Sequence, residues 1–370
     1  MTILLAAGDV GAKRADPSTI FRGCREAFAQ GDVVFAQLET AVTDRGARAP
    51  NARLAMRAPP SMGQTAKEAG IGVMSFAGNH CLDWGYEGFS DTLRHMKSAG
   101  VDLCGAGEKL AEARRPAIVR KDGLTFAFLA YSSILPEGYW ASRDRAGCAP
   151  MRAHTVHEAI EHDQPGTPAR TRTFAHRGDL DALVADVKAA RQAADIVLVS
   201  LHWGIHMIEG VLADYQHEVA HAAIEAGANA ILGHHPHILK GVGFHRGAPI
   251  FYSLGNFAIE QPHIWDPAIT QTDSFRHLVS LNPTWNPEQV YMLPEDTRMT
   301  GIARLDCGKD GVRSVEFLPA WIEDDSAPVM LDPSDPRFER VRAYLERVSR
   351  AEGLSMAFRR SGDHLVLSPA

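Results

Sequence analysis

The sequence lacks any run of 18 apolar residues, which is the length that a helix needs to cross a bilayer, so we expect no transmembrane segment. Residues 1–7 are apolar but lack the basic flank and the length of a signal peptide, and we interpret them as the first strand. The five cysteines show neither CxxC spacing nor a disulfide pattern, which is typical of a reducing compartment. These absences predict a cytoplasmic protein.

An excess of positive charge is also absent. Lysine and arginine total 38 against 45 acidic residues, and the net charge of −7 argues against a nucleic-acid or anionic-membrane partner. The sequence contains no internal repeat and no low-complexity tract. A chain of 370 residues with 45% hydrophobic and 22% charged residues is expected to be globular, with one large domain or two smaller ones.

Apolar strands alternate with helical patterns along most of the chain, which predicts an α/β fold. We expect residues 1–330 to form one domain, with residues 331–370 packing on it as a C-terminal helix and tail. Residues 132–178 and 258–298 lack periodicity, and we interpret them as insertions that build the walls of a substrate pocket. The expected strands lie at 3–8, 33–36, 72–77, 101–104, 116–120, 124–131, 195–201, 230–232, 249–254, 299–306 and 312–322. The expected helices lie at 18–30, 61–69, 88–99, 179–193, 215–226 and 336–351.

Histidine is abundant, with 17 residues, and three of them fall in the segment GHHPH at 233–237. This segment opens directly from a short apolar strand. In an extended chain, His235 and His237 would point to the same side, because side chains alternate. Imidazole is a common ligand for Zn²⁺, Mn²⁺ and Fe²⁺. A single histidine here would be as readily a buried structural residue, but three together at a strand end indicate a metal site.

Further polar residues follow the carboxyl ends of the other apolar strands, where α/β sheets place their ligands. Six donors of carboxylate, amide and imidazole type suffice for two divalent ions that share Glu39 and that lower the pKa of a bridging water. His80 is then a candidate general acid that is oriented by Asp83. Asp83 equally fits the role of a turn or helix-capping residue. The candidate metal ligands are Asp9, Glu39, Asn79, His202, His235 and His237.

Several of these segments resemble the CapA family of capsule and poly-γ-glutamate synthesis proteins. They are GD at 8–9, QLET at 37–40, FAGNHCLDWG at 76–85, LHWG at 201–204, and GHHPH at 233–237 with YSLGNF at 252–257. The resemblance spans residues 3–257. That family is similar to the calcineurin-like metallophosphoesterases, which implies a four-layer α/β/β/α sandwich with inserted loops and a dinuclear metal site. The implied first metal would use Asp9, Glu39 and His237, and the second would use Glu39, Asn79, His202 and His235.

The chain departs from the family pattern in three places. The phosphoesterase motif D-x-H is here Asp9, Val10 and Gly11, so one metal is expected to lose a ligand. The bridging aspartate is replaced by Glu39, which is longer by one methylene group. Capsule-type members usually carry an N-terminal membrane anchor, whereas this chain starts at the first strand. We therefore expect a cytosolic enzyme that acts on a small or peptide-like substrate.

Four functions remain compatible with this pattern. The first is a hydrolase that uses one or two divalent ions (Mn, Zn or Fe) on an amide, γ-glutamyl or cyclic amide substrate. The others are a phosphoester hydrolase, a metal-assisted epimerase, and a non-catalytic accessory protein of poly-γ-glutamate or capsule synthesis. The sequence leaves the oligomeric state open. Candidate substrate contacts are Arg143 and Arg145, as anchors for an anionic group, and the aromatic residues Tyr139, Trp140, Trp265 and Trp285.

Overall fold

The computed structural model describes residues 1–52, 54–260, 267–286 and 288–370. Its strands are β1 (Thr2–Gly11), β2 (Val33–Leu38), β3 (Ala41–Val42), β4 (Arg57–Ala58), β5 (Val73–Ser75), β6 (Asp102–Cys104), β7 (Ala106–Gly107), β8 (Ala117–Lys121), β9 (Leu124–Ser132), β10 (Gly147–Cys148), β11 (Ala153–Glu158), β12 (Arg170–Ala175), β13 (Ile196–His202), β14 (Ala230–His234), β15 (Val242–His245), β16 (Ala248–Phe251), β17 (Asn256–Ile259), β18 (Met299–Gly308), β19 (Gly311–Ile322), β20 (Pro328–Met330), β21 (Met356–Ser361) and β22 (His364–Pro369).

The helices connect these strands and cover the outer faces of the sheets. They are α1 (Arg25–Phe28), α2 (Met62–Glu68), α3 (Gly85–Ser98), α4 (Leu110–Ala113), α5 (Arg177–Ala193), α6 (Asp214–Ala226), α7 (Pro267–Thr270), α8 (Asp273–Ser280) and α9 (Pro336–Ala351), with 3₁₀ turns at Pro17–Thr19 and Glu295–Arg298. Within the described residues, no helix is both long enough and apolar enough to cross a membrane.

The larger sheet has the strand order β21-β22-β19-β18-β1-β2-β5-β6. Strands β1, β2, β5 and β6 run parallel, so their carboxyl ends lie at one edge of the sheet. On the other side of β1, its first half pairs with antiparallel β18 and its end pairs with parallel β17. The register of β1 shifts next to Asp9 against both β2 and β17. The end of β1 is therefore locally irregular but held on both sides.

The smaller sheet has the order β15-β16-β14-β13-β9-β8. Its central strands β9, β13, β14 and β16 are parallel, and β8 and β15 are antiparallel edge strands. The register pairs His202 of β13 with His234 of β14. These two histidines thus stand side by side at the carboxyl edge of the sheet.

The two sheets pack face to face, and alternate residues of one strand reach two different cores. Ile196 and Leu198 of β13 belong to the core between the sheets, whereas Val197 and Val199 pack with α5 and α6 on the outer face. Phe35 of the larger sheet stacks on Phe128 of the smaller one, with ring centres 5.4 Å apart. Because α2 and α3 pack on the larger sheet, the layers run α/β/β/α. The expected fold class is confirmed.

Some sequence-based expectations were wrong in detail. The helix expected at 18–30 is a 3₁₀ turn followed by the short helix α1, because the backbone of Gly23 lies against β20, where a Cβ atom would come 2.5 Å from a carbonyl oxygen. Residues 132–178 contain the hairpin β11–β12, which was missed because both of its faces are polar and largely exposed. The hairpin β21–β22 was also missed, and its second strand pairs with β19.

The contact between the sheets provides a test of the layered packing. Phe128 is 1% exposed, and its replacement by Ala would leave a cavity opposite Phe35. We expect Phe128→Ala to lower the free energy of unfolding by about 3–5 kcal/mol in urea titrations. Phe174→Ala is the matched control, since Phe174 is 49% exposed on β12 and should cost no more than about 0.5 kcal/mol. Equal losses in the two variants would contradict the packing described here.

Candidate metal centre

The predicted ligands come from both sheets and lie near the carboxyl ends of their strands. Asp9 lies near the end of β1, Glu39 directly follows β2, and Asn79 is in the turn after β5. His202 is the last residue of β13, whereas His235 and His237 follow β14. We call these six residues the central cluster.

Three members of the central cluster offer ligand atoms that all lie within 4.8 Å of one another: Asp9, Glu39 and His202. All three are buried. His202 Nδ1 is 3.5 Å from Glu39 Oε2, and His237 Nδ1 is 3.5 Å from Asp9 Oδ2. Each of these contacts joins a carboxylate of the larger sheet to an imidazole of the smaller sheet, so the cluster bridges the two.

Asn79 and His235 adjoin this core of the cluster. Asn79 Oδ1 lies 2.7 Å from His202 Nε2, and the His235 ring centre lies 4.9 Å from that of His202. The backbone N–H of His235 donates to Asp9 Oδ2 at 3.4 Å. His235 and His237 have φ angles of 93° and 59°, which non-glycine residues seldom adopt. Residues 235–237, which we call the histidine loop, therefore combine a strained backbone with two contacts to Asp9, from the His235 N–H and from the His237 ring.

Several buried atoms of the cluster have no hydrogen-bond partner among the described residues. A buried polar atom without a partner costs about 1–3 kcal/mol, so a native fold seldom leaves several together. Carboxylate oxygens and imidazole nitrogens are the donor atoms that divalent cations prefer. The residues therefore fit one or two such ions. The unpartnered atoms are Asp9 Oδ1, both carboxylate oxygens of Glu39, His202 Nδ1 and His235 Nδ1.

Burial and mutual proximity shift the pKa values inside the cluster. Burial raises the pKa of Glu39 well above its usual value, and the charges of Asp9 and Asp83 add to that shift. Burial also opposes ionisation of Asp9, but contact with His234 and the nearby imidazoles lower its pKa overall. Burial lowers the pKa values of His202 and His235, which keeps both imidazoles neutral, the form that binds metals.

The proposed acid–base pair stands beside the cluster. His80 Nε2 is 3.9 Å from Glu39 Oε1, and His80 Nδ1 is 2.5 Å from Asp83 Oδ2. Tyr139 donates its hydroxyl hydrogen to Asp83 Oδ1 at 2.9 Å. Asp83 and Tyr139 are buried, whereas the His80 side chain is 19% exposed. Tyr139 therefore holds His80 in place through Asp83, and its contact with substrate stays a prediction.

The other candidate substrate contacts lie apart from this pair. Arg143 and Arg145 are exposed, and in the described part of the chain neither guanidinium bonds to the central cluster or to His80. The Trp140 ring is 5.8 Å from the Arg152 guanidinium, and Trp285 is buried in a small satellite core. Trp265 lies outside the described residues. The substrate-binding roles of these residues stay predictions.

Three further polar residues surround the cluster and were not among the expected ligands. His234 is fully buried, with Nδ1 3.3 Å from Asp9 Oδ1. The partly exposed His206 has its ring centre 5.0 Å from that of His237, and Asn256 Oδ1 lies 2.7 Å from His237 Nδ1. The spacing His202-x₃-His206 and the neighbouring GN dipeptide at 255–256 were the available signals, but only tertiary structure places them here.

The residue that replaces the histidine of the D-x-H motif lies in a closely packed position. Gly11 takes the position of the missing histidine, and a Cβ atom there would lie 2.7 Å from Thr40 Cγ2. A side chain at residue 11 would thus require the Thr40 side chain to move. The absence of this ligand agrees with the local packing of the chain.

Fold and site together define a layered α/β protein with a buried carboxylate–imidazole cluster suited to divalent cations. Residues 4–261 match the family model described as bacterial capsule synthesis protein PGA_cap. Since this match covers well over half of the chain, the chain belongs to that family.

Curated relatives carry related names. The chain is 28% identical over 245 residues to PGA biosynthesis protein CapA of Bacillus subtilis, which covers 66% of this chain and 57% of the relative. It is 30% identical over 199 residues to the capsule biosynthesis protein CapA of Bacillus anthracis, covering 53% and 42%. A probable polyglutamine synthesis accessory protein of Mycobacterium tuberculosis is 31% identical over 332 residues, covering 89% and 75%. The chain thus spans less than two thirds of the two Bacillus relatives.

The solved structures that this chain resembles have lower sequence identity to it than the curated relatives have. A hypothetical protein from Thermus thermophilus has a TM-score of 0.47 at 14% identity, covering 89% of this chain and 99% of that chain. A calcineurin-like phosphoesterase from Bacillus subtilis has a TM-score of 0.40 at 11% identity, with 95% of each chain covered.

The hydrogen bond between Tyr139 and Asp83 can be tested without knowing the substrate. Tyr139→Phe removes the hydroxyl that satisfies buried Asp83 Oδ1, so we expect a loss of about 1–3 kcal/mol in the free energy of unfolding. Tyr86→Phe is the control, because Tyr86 is 51% exposed and should change stability by less than about 0.5 kcal/mol. If Asp83→Ala and Tyr139→Phe prove additive in a double-mutant cycle, the two side chains are not coupled.

Proposed function

We propose that this protein is a metal-dependent hydrolase of amide or peptide-like substrates, such as γ-glutamyl or cyclic amides. The observation that supports this most directly is the buried set of unpartnered donor atoms on Asp9, Glu39 and His202 next to the hydrogen-bonded pair His80–Asp83. Ligand atoms and a candidate proton donor thus lie at one place. Such an arrangement suits hydrolysis, which needs both an activated water and protonation of the leaving group.

Each group of the site has a definite task in this proposal. Asp9, Glu39, Asn79, His202, His235 and His237 would hold one or two ions of Mn, Zn or Fe. A divalent cation bound there would supply an acidified water molecule and polarise the scissile carbonyl group. His80 would donate a proton to the leaving nitrogen, since its ring is partly exposed and its Nε2 lies 3.9 Å from Glu39 Oε1. Asp83 and Tyr139 would keep the imidazole in place.

The substrate class is inferred from the family and its relatives. Relatives are named for the biosynthesis of PGA, of capsule and of polyglutamine. Poly-γ-glutamate is a chain of amide bonds, so an amide is the first bond class to test.

The test is a substrate panel with protein from which metal has been removed. We expect Mn²⁺ or Zn²⁺ to restore turnover of a γ-glutamyl amide or cyclic amide, and EDTA to abolish it. His80→Gln should lower kcat by about 10²–10⁴-fold without a matching loss of bound metal, because general-acid catalysis contributes that much. Glu39→Gln should lose both metal and turnover. His157→Gln, an exposed histidine on β11, is the control that should behave like wild type.

The panel also separates the hydrolysis of amides from that of phosphoesters. Turnover of aryl phosphates alone would replace the proposed amide substrate by a phosphoester. No EDTA-sensitive turnover across a broad panel would contradict the proposal as a whole.

A non-catalytic accessory role is the second candidate, because the Mycobacterium tuberculosis relative is named as a probable accessory protein of synthesis. In that case the central cluster would serve to stabilise the fold, and a bound ion would raise the thermal stability without supporting turnover. This role would be favoured if metal binding stabilises the protein, if that stabilisation requires Glu39, and if the metal-loaded protein turns over no substrate of the panel.

A further inference from the structure

Three histidines and a glutamate meet on the outer side of the smaller sheet, where α6 covers it. His217 and His221 lie four residues apart on α6 and therefore project from the same face of the helix. His245 ends β15, and Glu225 is one further turn along α6. We call these four residues the surface histidine cluster. All are at least partly exposed, so a dissolved ion can reach them.

The rings are close to the spacing that a shared ion requires. Two imidazoles on one tetrahedral zinc ion have ring centres about 5 Å apart, given zinc–nitrogen bonds of about 2.0–2.1 Å. The ring centres of His221 and His245 are 4.0 Å apart, and those of His217 and His221 are 6.1 Å apart. The required separation lies between these values. The His221 and His245 rings are stacked with an interplanar angle of 11°, so they would have to rotate out of the stack to bring three ring nitrogens to one point.

Neighbouring groups orient two of the rings. The Tyr252 hydroxyl lies 2.8 Å from His217 Nδ1, which leaves Nε2 of that ring available. Glu225 Oε1 lies 3.0 Å from His245 Nε2, which leaves Nδ1 available. A carboxylate on the far nitrogen of a metal-binding histidine is a common way of fixing its orientation. Partial burial lowers the pKa values of His217 and His221, so both are neutral at pH 7.

The sequence of this helix is HEVAH at 217–221, the H-E-x-x-H pattern in which two histidines on one helical face bind zinc. In metallopeptidases the glutamate of this pattern is a general base. Here Glu218 Oε2 instead accepts the backbone N–H of Ala175 at 2.9 Å and so ties α6 to β12. The arrangement therefore keeps the two zinc-binding positions of the pattern but not its catalytic base.

We propose that the surface histidine cluster is a second binding site, for one transition-metal ion such as Zn²⁺, held by His217, His221 and His245 with Glu225 in support. The ion would join α6 to the β15–β16 hairpin and would stabilise the edge of the smaller sheet. This site uses none of the residues of the central cluster, so it is independent of the proposed hydrolase activity.

The experiment measures bound zinc per chain on full-length protein without a histidine tag. After dialysis against micromolar free Zn²⁺, elemental analysis should find one equivalent fewer in His221→Ala and in His245→Ala than in wild type. Glu39→Gln should lose metal from the central cluster but keep this equivalent. Zinc should also raise the melting temperature of Glu39→Gln, and His245→Ala in that background should remove the rise.

His154→Ala is the matched control. The rings of His154 and His176 are 5.5 Å apart, but His176 Nδ1 already accepts the N–H of Asp179 at the start of α5. We therefore expect His154→Ala to bind as much zinc as wild type. The proposal is overturned if folded His221→Ala and His245→Ala both retain the wild-type zinc content, or if His154→Ala loses as much as they do.

Discussion

The structure depends on keeping two carboxylates buried side by side. Asp9 lies near the end of β1 and Glu39 directly follows the neighbouring strand β2, and both are almost fully shielded from water. Two such groups repel each other and lose their hydration, and a fold tolerates them only if positive charge or a proton compensates. Imidazoles from the facing sheet lie next to these carboxylates. The Nδ1 atoms of His202, His234 and His237 are 3.3–3.5 Å from a carboxylate oxygen of Asp9 or Glu39. Burial lowers the pKa values of His202 and His237, so these two imidazoles do not balance the negative charge of the carboxylates. A divalent cation would complete that balance.

The four-layer arrangement explains how residues that are distant in the sequence come together at this site. Parallel strands within each sheet end at one edge, and the two sheets are packed by contacts such as Phe35 on Phe128. The acidic donors and the imidazole donors therefore come from separate sheets that fold as rigid layers. Their relative position is set by the apolar core between the sheets. A packing defect in that core would change the distances between the candidate ligands, even if every ligand residue is retained.

The sequence was sufficient to predict the parts of the site that depend on the order and ends of the strands. The convergence of Asp9, Glu39 and His202 could be predicted because each comes at or near the end of an apolar strand, and parallel strands end together.

The sequence was less informative about residues whose position depends on strand register or on tertiary contacts. His234 reaches Asp9 only because β14 is aligned with β13, and Asn256 reaches His237 only because β17 pairs with the end of β1. The hydrogen bond from Tyr139 to Asp83 could not be predicted, because an aromatic residue in a long irregular segment gives no sign of what its hydroxyl contacts. The hairpin β11–β12 carries polar residues on both faces, so no alternation revealed it.

The part of the chain beyond the family match also shapes the site. Lys240, three residues after His237, is 1% exposed, and its ammonium group lies 3.4 Å from Glu352 at the end of α9 and 2.8 Å from the carbonyl oxygen of Val211. Glu352 in turn accepts the backbone N–H of Gly241 at 2.7 Å. A buried ion pair loses stability when one partner is missing, because the other charge is left without compensation. The C-terminal helix therefore holds both the histidine loop and the 205–213 segment that carries His206. The strained backbone at His235 and His237 is thus flanked by two fixed contacts, that of the His235 N–H with Asp9 in the larger sheet and that of the Gly241 N–H with Glu352.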